Sequence, residues 1–325
     1  MKADKICAYE KGKVRLESCK VKPPGENEVL IKTLFSTISP GTELAWLNHM
    51  ENTPGEYPYY PGYSCCGRIE EAGSGVRGLA AGDLVVCNQI HCSRFTADAQ
   101  KCTKIPEKIN PREASAFRLA SISLQGIRKA DIQLGDKVAV LGLGPIGNLA
   151  AQLGFCAGAG SVTGFDFVEW RRVLAKKCGI LRTEENGEDE AFDSVFDVVI
   201  EATGVPQAVN TALKMVKPLG RVVLLGSTRG NTDGVNFYRD VHRKGIAVIG
   251  AHEMHRAQDE RDQFGHFRSH QRDEETIIDL LAQRRIVLEP LISENAAPEC
   301  AQTIYDRLLS KKEPLMLAAF CWCRE

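Results

Sequence analysis

The sequence has no block of like charge, no Cys-x-x-Cys pair, no internal repeat and no low-complexity segment. With 41 basic and 42 acidic residues, a formal net charge of −1 and no basic run, it offers no electrostatic footprint for nucleic acid or an anionic membrane surface. The opening Met1-Lys2-Ala3-Asp4-Lys5 lacks the pattern of a secretory signal. The twelve cysteines, two of them adjacent (Cys65 and Cys66), therefore read as reduced thiols packed as small apolar groups, and a cytoplasmic location is expected. Histidine is scarce as well. His252-Glu253-Met254-His255 spaces its histidines three apart, whereas a zinc-protease helix needs four. His266 and His270 have the required spacing but lie in a polar stretch, which suits a solvated loop or helix face.

What is present fits a globular protein of two ordinary domains: 325 residues, 43% apolar and 26% charged. Val138 to Phe165 carries no charge and is long enough to cross a membrane. It contains seven glycines and a proline, however, so it reads as strand, loop, buried helix and strand.

Residues 1–120 are β-rich, with short runs such as Glu28-Val29-Leu30-Ile31, Gly67-Arg68-Ile69-Glu70 and Asp83-Leu84-Val85-Val86 separated by Pro/Gly turns. From Asp136 the rhythm becomes strand, helix, strand. Strands are expected at Lys137–Leu141, Ser161–Phe165, Asp197–Glu201, Arg221–Gly226 and Ile246–Gly250, with helices at Glu169–Lys177 and Gln207–Val216. Alternating strands and helices predict an α/β, doubly wound domain with a parallel sheet over about 121–264. A helix (Glu274–Gln283), a strand (Val287–Ile292), a helix (Glu299–Leu309) and a last strand (Leu315–Phe320) follow, within 265–325.

The run Val138-Ala139-Val140-Leu141-Gly142-Leu143-Gly144-Pro145-Ile146-Gly147 is a G-x-G-x-x-G loop between a strand and a helix. Gly142 allows the tight turn, Gly144 lets backbone approach a pyrophosphate and Gly147 lets helix pack on strand. The phosphates would sit on the positive end of the helix started by Pro145 and Ile146. Asp166 follows Gly144 by 22 residues at the tip of the next strand, placed to accept hydrogen bonds from an adenosine ribose. Its charge would repel a 2′-phosphate, so NAD(H) is expected rather than NADP(H). Arg171 and Arg172, five and six residues further on, temper that preference. Two more strand ends, Ala202-Thr203-Gly204 after Glu201 and Gly226-Ser227 after Leu225, put small residues at the crevice where open α/β sheets bind ligands.

Taken with Leu134-Gly135-Asp136-Lys137-Val138 and Gly82-Asp83-Leu84-Val85, these segments resemble the medium-chain dehydrogenase/reductase superfamily across essentially the whole chain. The resemblance implies a GroES-like catalytic domain built from both chain ends, with a Rossmann domain inserted. Within the superfamily, Ser36 to Leu44 and Tyr60-Pro61-Gly62-Tyr63 look most like bacteriochlorophyllide a dehydrogenases and their relatives. It also implies where a catalytic zinc would be held, and there the chain departs from the pattern. The three ligand positions correspond to Pro40, Tyr63 and Arg118, none of which can form that site. The loop from Cys87 to Cys102 is too short for the four-cysteine zinc lobe, and a substitute site from Cys87, His91, Cys92 and Cys102 lacks paired spacing.

Without a metal, a side chain must exchange the alcohol proton while the nicotinamide takes the hydride. By position, Thr42 resembles the hydroxyl that relays that proton in zinc-containing relatives. Tyr63 replaces a zinc ligand, and can serve as the acid–base group or simply fill the space. His252 follows the last clear strand of the inserted domain. Glu43, His91 and Arg118 are lesser candidates.

The expected function is a zinc-independent, NAD(H)-dependent oxidoreductase interconverting a secondary alcohol and a ketone of a polyol, cyclitol or sugar-like molecule. Two alternatives remain at this point: an enzyme with tightly held NAD that catalyses net epimerisation or elimination, and a dinucleotide-binding sensor without catalysis. A homodimer is expected from the resemblance.

Overall fold

A strand with no polar face needs cover on both sides, and Val138, Ala139, Val140 and Leu141 are all buried. They lie near the centre of a parallel sheet in the computed structural model, which describes residues 1–253 and 269–323.

In chain order the β-rich start comprises β1 (Lys2–Glu10), β2 (Lys13–Lys20), β3 (Glu28–Thr37), α1 (Pro40–Leu47), β4 (Cys65–Ala72), β5 (Leu84–Cys87), β6 (Arg94–Asp98) and β7 (Cys102–Lys104). A single turn α2 (Pro111–Ala114) and α3 (Phe117–Ala130) follow. Next come β8 (Lys137–Leu141), α4 (Pro145–Cys156), β9 (Ser161–Phe165), α5 (Glu169–Lys177), β10 (Arg182–Glu184), β11 (Phe196–Glu201), α6 (Pro206–Met215), β12 (Val216–Leu224) and β13 (Ala247–Gly250). The last described elements are α7 (His270–Ala282), β14 (Ile292–Ala296), α8 (Ala301–Ser310) and β15 (Leu317–Cys321).

The chain divides into two compact units. One comprises Met1–Arg118, Glu274–Arg284 and Leu291–Glu325; the other comprises Leu119–Asp273 and Arg285–Pro290.

In the first unit a sheet runs β14-β15-β3-β4-β5-β7, with β6 also on β3. The two halves of β3 have different partners: Glu28–Lys32 pairs with β6, and Phe35–Thr37 pairs antiparallel with β15. The C-terminal strand thus completes a sheet begun by the N-terminal residues. Ile38, Leu44, Leu47, Ile304, Tyr305, Phe320 and Trp322 form one buried cluster, binding α1 and α8 to that seam.

The second unit is the doubly wound α/β domain, strand order β10-β9-β8-β11-β12-β13 and every pairing parallel. Numbered within the unit this is 3-2-1-4-5-6, so the order reverses between β8 and β11, where such sheets bind dinucleotides. The uncharged stretch from Val138 to Phe165 is β8, α4 and β9, and no helix among the described residues is long and apolar enough to cross a membrane.

Some expected elements shift. No strand forms at Val287–Ile292; a 3-10 turn occupies Glu289–Leu291 and the strand is Ile292–Ala296. Pro290 has no N–H to give a ladder. The strand expected at Arg221–Gly226 starts at Val216, and α7 starts at His270, which places that histidine on a helix. His255 and His266 lie outside the described residues.

Candidate functional site

The three loop glycines answer to different constraints. Gly142 has φ +86°, and a Cβ there would stand 2.9 Å from Thr203 Cγ2. A Cβ on Gly147 would be 1.8 Å from the Gly142 carbonyl oxygen, so only glycine lets α4 start so close to the end of β8. Gly144 is different: a Cβ there meets nothing within 4 Å, and its φ is −62°. The protein's own packing does not require this glycine, whereas a phosphate group lying against the loop would. No side chain caps α4. The amides of Ile146 and Gly147 at its start thus lack intrahelical partners, and with Pro145 at the first position they face the helix's positive end. These features fit a dinucleotide's pyrophosphate.

Asp166 is 8% exposed at the end of β9. Its Oδ2 accepts from the Leu143 N–H at 2.8 Å and its Oδ1 from the Val168 N–H at 2.9 Å. Arg171 Nη1 stands 3.4 Å from Oδ2, and Arg172 Nη1 donates to the Asp166 carbonyl at 2.6 Å. A carboxylate has about four acceptor positions, so room is left for ribose hydroxyls. Phe167, 69% exposed beside Asp166, went unnoticed in the sequence because a lone aromatic carries no motif. It offers a face on which an adenine could stack.

The ends of β11 and β12 are held by Glu201, which the sequence marks only as the residue before a turn of small residues. Glu201 is wholly buried, and one carboxylate oxygen accepts from the N–H of Thr203 at 2.6 Å and of Gly204 at 3.1 Å, and from the Thr203 hydroxyl. The other accepts from Thr228 Oγ1 at 3.2 Å. The Ala202-Thr203-Gly204 turn therefore wraps a carboxylate. A Cβ on Gly226 would be 2.6 Å from Gly204 N, and one on Gly204 would be 3.0 Å from the Ser227 carbonyl oxygen, so these small residues bring two strand ends together.

The first unit holds the other candidates. α1 starts with Ser39 as N-cap and Pro40 at its first position. The Ser39 hydroxyl does not cap the helix; instead Glu43 Oε1 reaches back and accepts from the Ser39 N–H at 2.7 Å. Glu43 Oε2 accepts from the Tyr305 hydroxyl at 2.5 Å and lies 3.0 Å from His91 Nε2. His91 Nδ1 is 2.8 Å from Ser36 Oγ, which accepts from Trp322 Nε1 at 2.9 Å. An indole nitrogen only donates, which leaves the Ser36 hydrogen available to His91 Nδ1; assigning it there puts Nε2–H towards Glu43 and gives every proton an acceptor. Burial, reinforced by Glu43, pushes the Tyr305 phenol well above its ordinary range, so it stays a donor.

Tyr63 joins this assembly at its edge, its phenol donating to Ser39 Oγ at 2.5 Å. The preceding Gly62 has φ +97°, and a Cβ there would be 2.6 Å from His91 N, so this turn admits no side chain. Thr42 lies half-buried on α1, three residues after Ser39. Arg118 is buried and lies 3.4 Å from Glu274 Oε1, whose other oxygen accepts from Thr103 Oγ1 at 3.2 Å; its charge is met by a carboxylate of its own unit. His252 belongs to the other unit, exposed, just after Ala251, whose carbonyl accepts from Gln125.

All twelve cysteines are free thiols. Cys87 and Cys102 face each other across neighbouring strands with sulfurs 3.3 Å apart, while the His91 ring turns to Glu43 and Ser36. No group of three or more His, Cys, Asp or Glu among the described residues could hold a metal ion.

The alcohol dehydrogenase GroES-like domain family matches residues 25–126, and the zinc-binding dehydrogenase family matches residues 145–269. L-threonine 3-dehydrogenase of Pyrococcus furiosus is 31% identical over 276 residues, which is 72% of this chain and 78% of that protein. D-guloside 3-dehydrogenase of Escherichia coli strain K12 is 26% identical over 257 residues, 74% of this chain and 72% of that protein. The fold matches the crystal structure of galactitol-1-phosphate dehydrogenase from Escherichia coli with a TM-score of 0.82 at 21% identity, covering 98% of this chain and 99% of that one. The chain belongs to the medium-chain dehydrogenase/reductase superfamily, the alcohol dehydrogenase-like enzymes.

Proposed function

We propose that this protein is an NAD(H)-dependent oxidoreductase that interconverts a secondary alcohol and a ketone on a polyol or sugar-like molecule, and does so without zinc. The observation that carries the reading is Tyr63. By the sequence resemblance it takes the position of a ligand in zinc-containing relatives, and its phenol is in a hydrogen bond to the Ser39 hydroxyl. Pro40 brings no donor atom to the first ligand position, and Arg118, at the third, is a cation bonded to Glu274. The polyol class is supported by relatives such as the D-guloside enzyme.

Gly142, Gly144, Pro145, Ile146 and Gly147 would seat the pyrophosphate, and Asp166 with Arg171 would meet the adenosine ribose. Ala202, Thr203, Gly204, Gly226 and Ser227 would line the crevice beyond. When bound, the nicotinamide supplies hydride exchange. The protein's part is to exchange the alcohol proton at an oriented hydroxyl, and Tyr63 has that role, with Thr42 nearby on α1. His252 is the competing acid–base group. The Asp166 carboxylate favours NAD(H) over NADP(H). A cytoplasmic homodimer completes the proposal.

The test is NADH formation by the purified protein with a panel of polyols, followed by Tyr63→Phe on the best of them. Turnover should fall by about two or more powers of ten, the usual size of an acid–base contribution, with NADH affinity unchanged. Unaltered turnover in Tyr63→Phe, or loss only in His252→Ala, would remove the tyrosine from the mechanism.

A further inference from the structure

Serine at a helix N-cap ordinarily turns its hydroxyl onto the amide of the second or third helical residue. Ser39 is the N-cap of α1 and does not. Its amide is held by Glu43 Oε1, which is half of the reciprocal capping arrangement; the other half, the serine hydroxyl, has been withdrawn from the helix. That hydroxyl accepts the Tyr63 phenol proton at 2.5 Å. Ser39 is 5% exposed, and the group that fixes it is fixed in turn: Glu43 is bonded to Tyr305 and lies against His91, both of them buried. A serine freed from its local task and set rigidly against one phenol is placed to act on that phenol.

We propose that Ser39 is the proton partner of Tyr63, and that it governs how readily the phenol gives up its proton. The inference rests on the reading of Tyr63 as the acid–base group. In alcohol oxidation the substrate hydroxyl proton passes to Tyr63 Oη, and a bound nicotinamide would be the acceptor of the hydride. The proton already on Tyr63 passes to Ser39 Oγ, and Ser39 releases its own hydroxyl proton to water. One hydride and one proton leave the alcohol, and every other group ends protonated as it began. Reduction of the ketone runs the same transfers backwards. Ser39 is therefore a positioning and relay residue, since it acts through Tyr63.

The two states of Tyr63 use Ser39 differently. Neutral phenol donates to it; phenolate would accept its O–H in a charge-assisted bond, the stronger of the two. Removing the hydroxyl therefore raises the phenol's titration midpoint, by about one pH unit. The experiment is carbon NMR of protein labelled with [ζ-13C]tyrosine, titrated without substrate, with the Tyr63 resonance identified by its disappearance in Tyr63→Phe. Ser39→Ala should move the Tyr63 midpoint upward by about one unit, and Ser39→Thr should restore it. Because Ser39 caps nothing in α1, Ser39→Ala should melt within a few degrees of the parent, which separates the effect from loss of structure. A Tyr63 titration unchanged in Ser39→Ala overturns the proposal. On the polyol turned over fastest, Ser39→Ala should lower kcat about tenfold or more with KM held. An effect on the midpoint with kcat unaltered would leave the hydrogen bond but remove the relay. The reading of Tyr63 fails separately, through Tyr63→Phe with full turnover.

Discussion

The Leu143 amide donates to the Asp166 carboxylate at 2.8 Å, so the residue proposed to select the cofactor also ties the glycine loop to the neighbouring strand. Substitutions there have two effects that can be separated. Asp166→Ala removes the charge and strands a buried N–H, and should cost about 1–3 kcal/mol of stability while relaxing the preference for NADH. Asp166→Asn keeps an acceptor oxygen and loses only the charge, so it should relax the preference with a smaller stability loss. Calorimetric titration with NADH and NADPH, beside urea unfolding, resolves the two. Tighter binding of NADPH than NADH by the parent protein would contradict the assigned role.

Two glycines of the same loop should answer differently to one added methyl. Gly147→Ala forces a Cβ to within 1.8 Å of the Gly142 oxygen, so the helix start must move; stability should drop by a few kcal/mol and nucleotide binding should fail with it. Gly144→Ala meets nothing within 4 Å. It should fold with stability within about 1 kcal/mol of the parent yet bind NADH at least tenfold more weakly, because the methyl occupies the phosphate's place. Equal NADH affinity in Gly144→Ala would show that the phosphates sit elsewhere.

Pro40, Tyr63 and Arg118 set the expectation for metal. Elemental analysis should find well under one zinc per chain, and prolonged treatment with a strong chelator should leave polyol oxidation unchanged. One tightly held zinc per chain, or loss of activity restored by zinc, would refute metal independence.

Burial pushes the thiol of Cys178 up to about 11 and that of Cys92 up to about 12 from the ordinary 9.0. An unfolded chain releases these protons near pH 9, while the folded chain keeps them. Their contribution to stability is therefore complete below about pH 9 and is lost as the pH rises towards 11–12. Urea midpoints should fall across that window, with a shallower fall in Cys178→Ala. In the native protein a thiol reagent at pH 8 should reach exposed Cys300 first and these two only on unfolding. Midpoints that stay level from pH 9 to 11, or early labelling of Cys92, would refute this account.

How far the sequence could be read followed the range of the interactions. β8, β9 and α5 were legible to the residue, because a run of buried apolar residues or a single amphipathic turn pattern is a local signal. The glycine loop stood out between β8 and α4 because its three glycines keep a fixed spacing, and the cofactor roles proposed for it and for Asp166 follow from that spacing. The strand misplaced at Val287–Ile292 had the right composition, but pairing with β15 selects the next segment. The assembly around Glu43 had no such signal. Its bonds join residues 48, 262 and 286 positions apart, and nothing near Glu43, His91, Tyr305 or Trp322 announces the partner. Ser39 was hidden for a related reason: a serine ahead of a helix is the commonest of caps, and only the fold shows its hydroxyl turned elsewhere.

The helix after the glycine loop begins with no side chain on its first amides. In the proposed binding mode the nucleotide's phosphates would supply the missing acceptors, and the nucleotide would then be part of the protein's folding equilibrium. Ligand at a hundred times its dissociation constant would add about 2.7 kcal/mol to stability, a large share of what a typical domain has. A cell that depleted its dinucleotide pool would slow this enzyme and also hold less of it folded, so the standing amount of the protein would follow the supply of its cofactor.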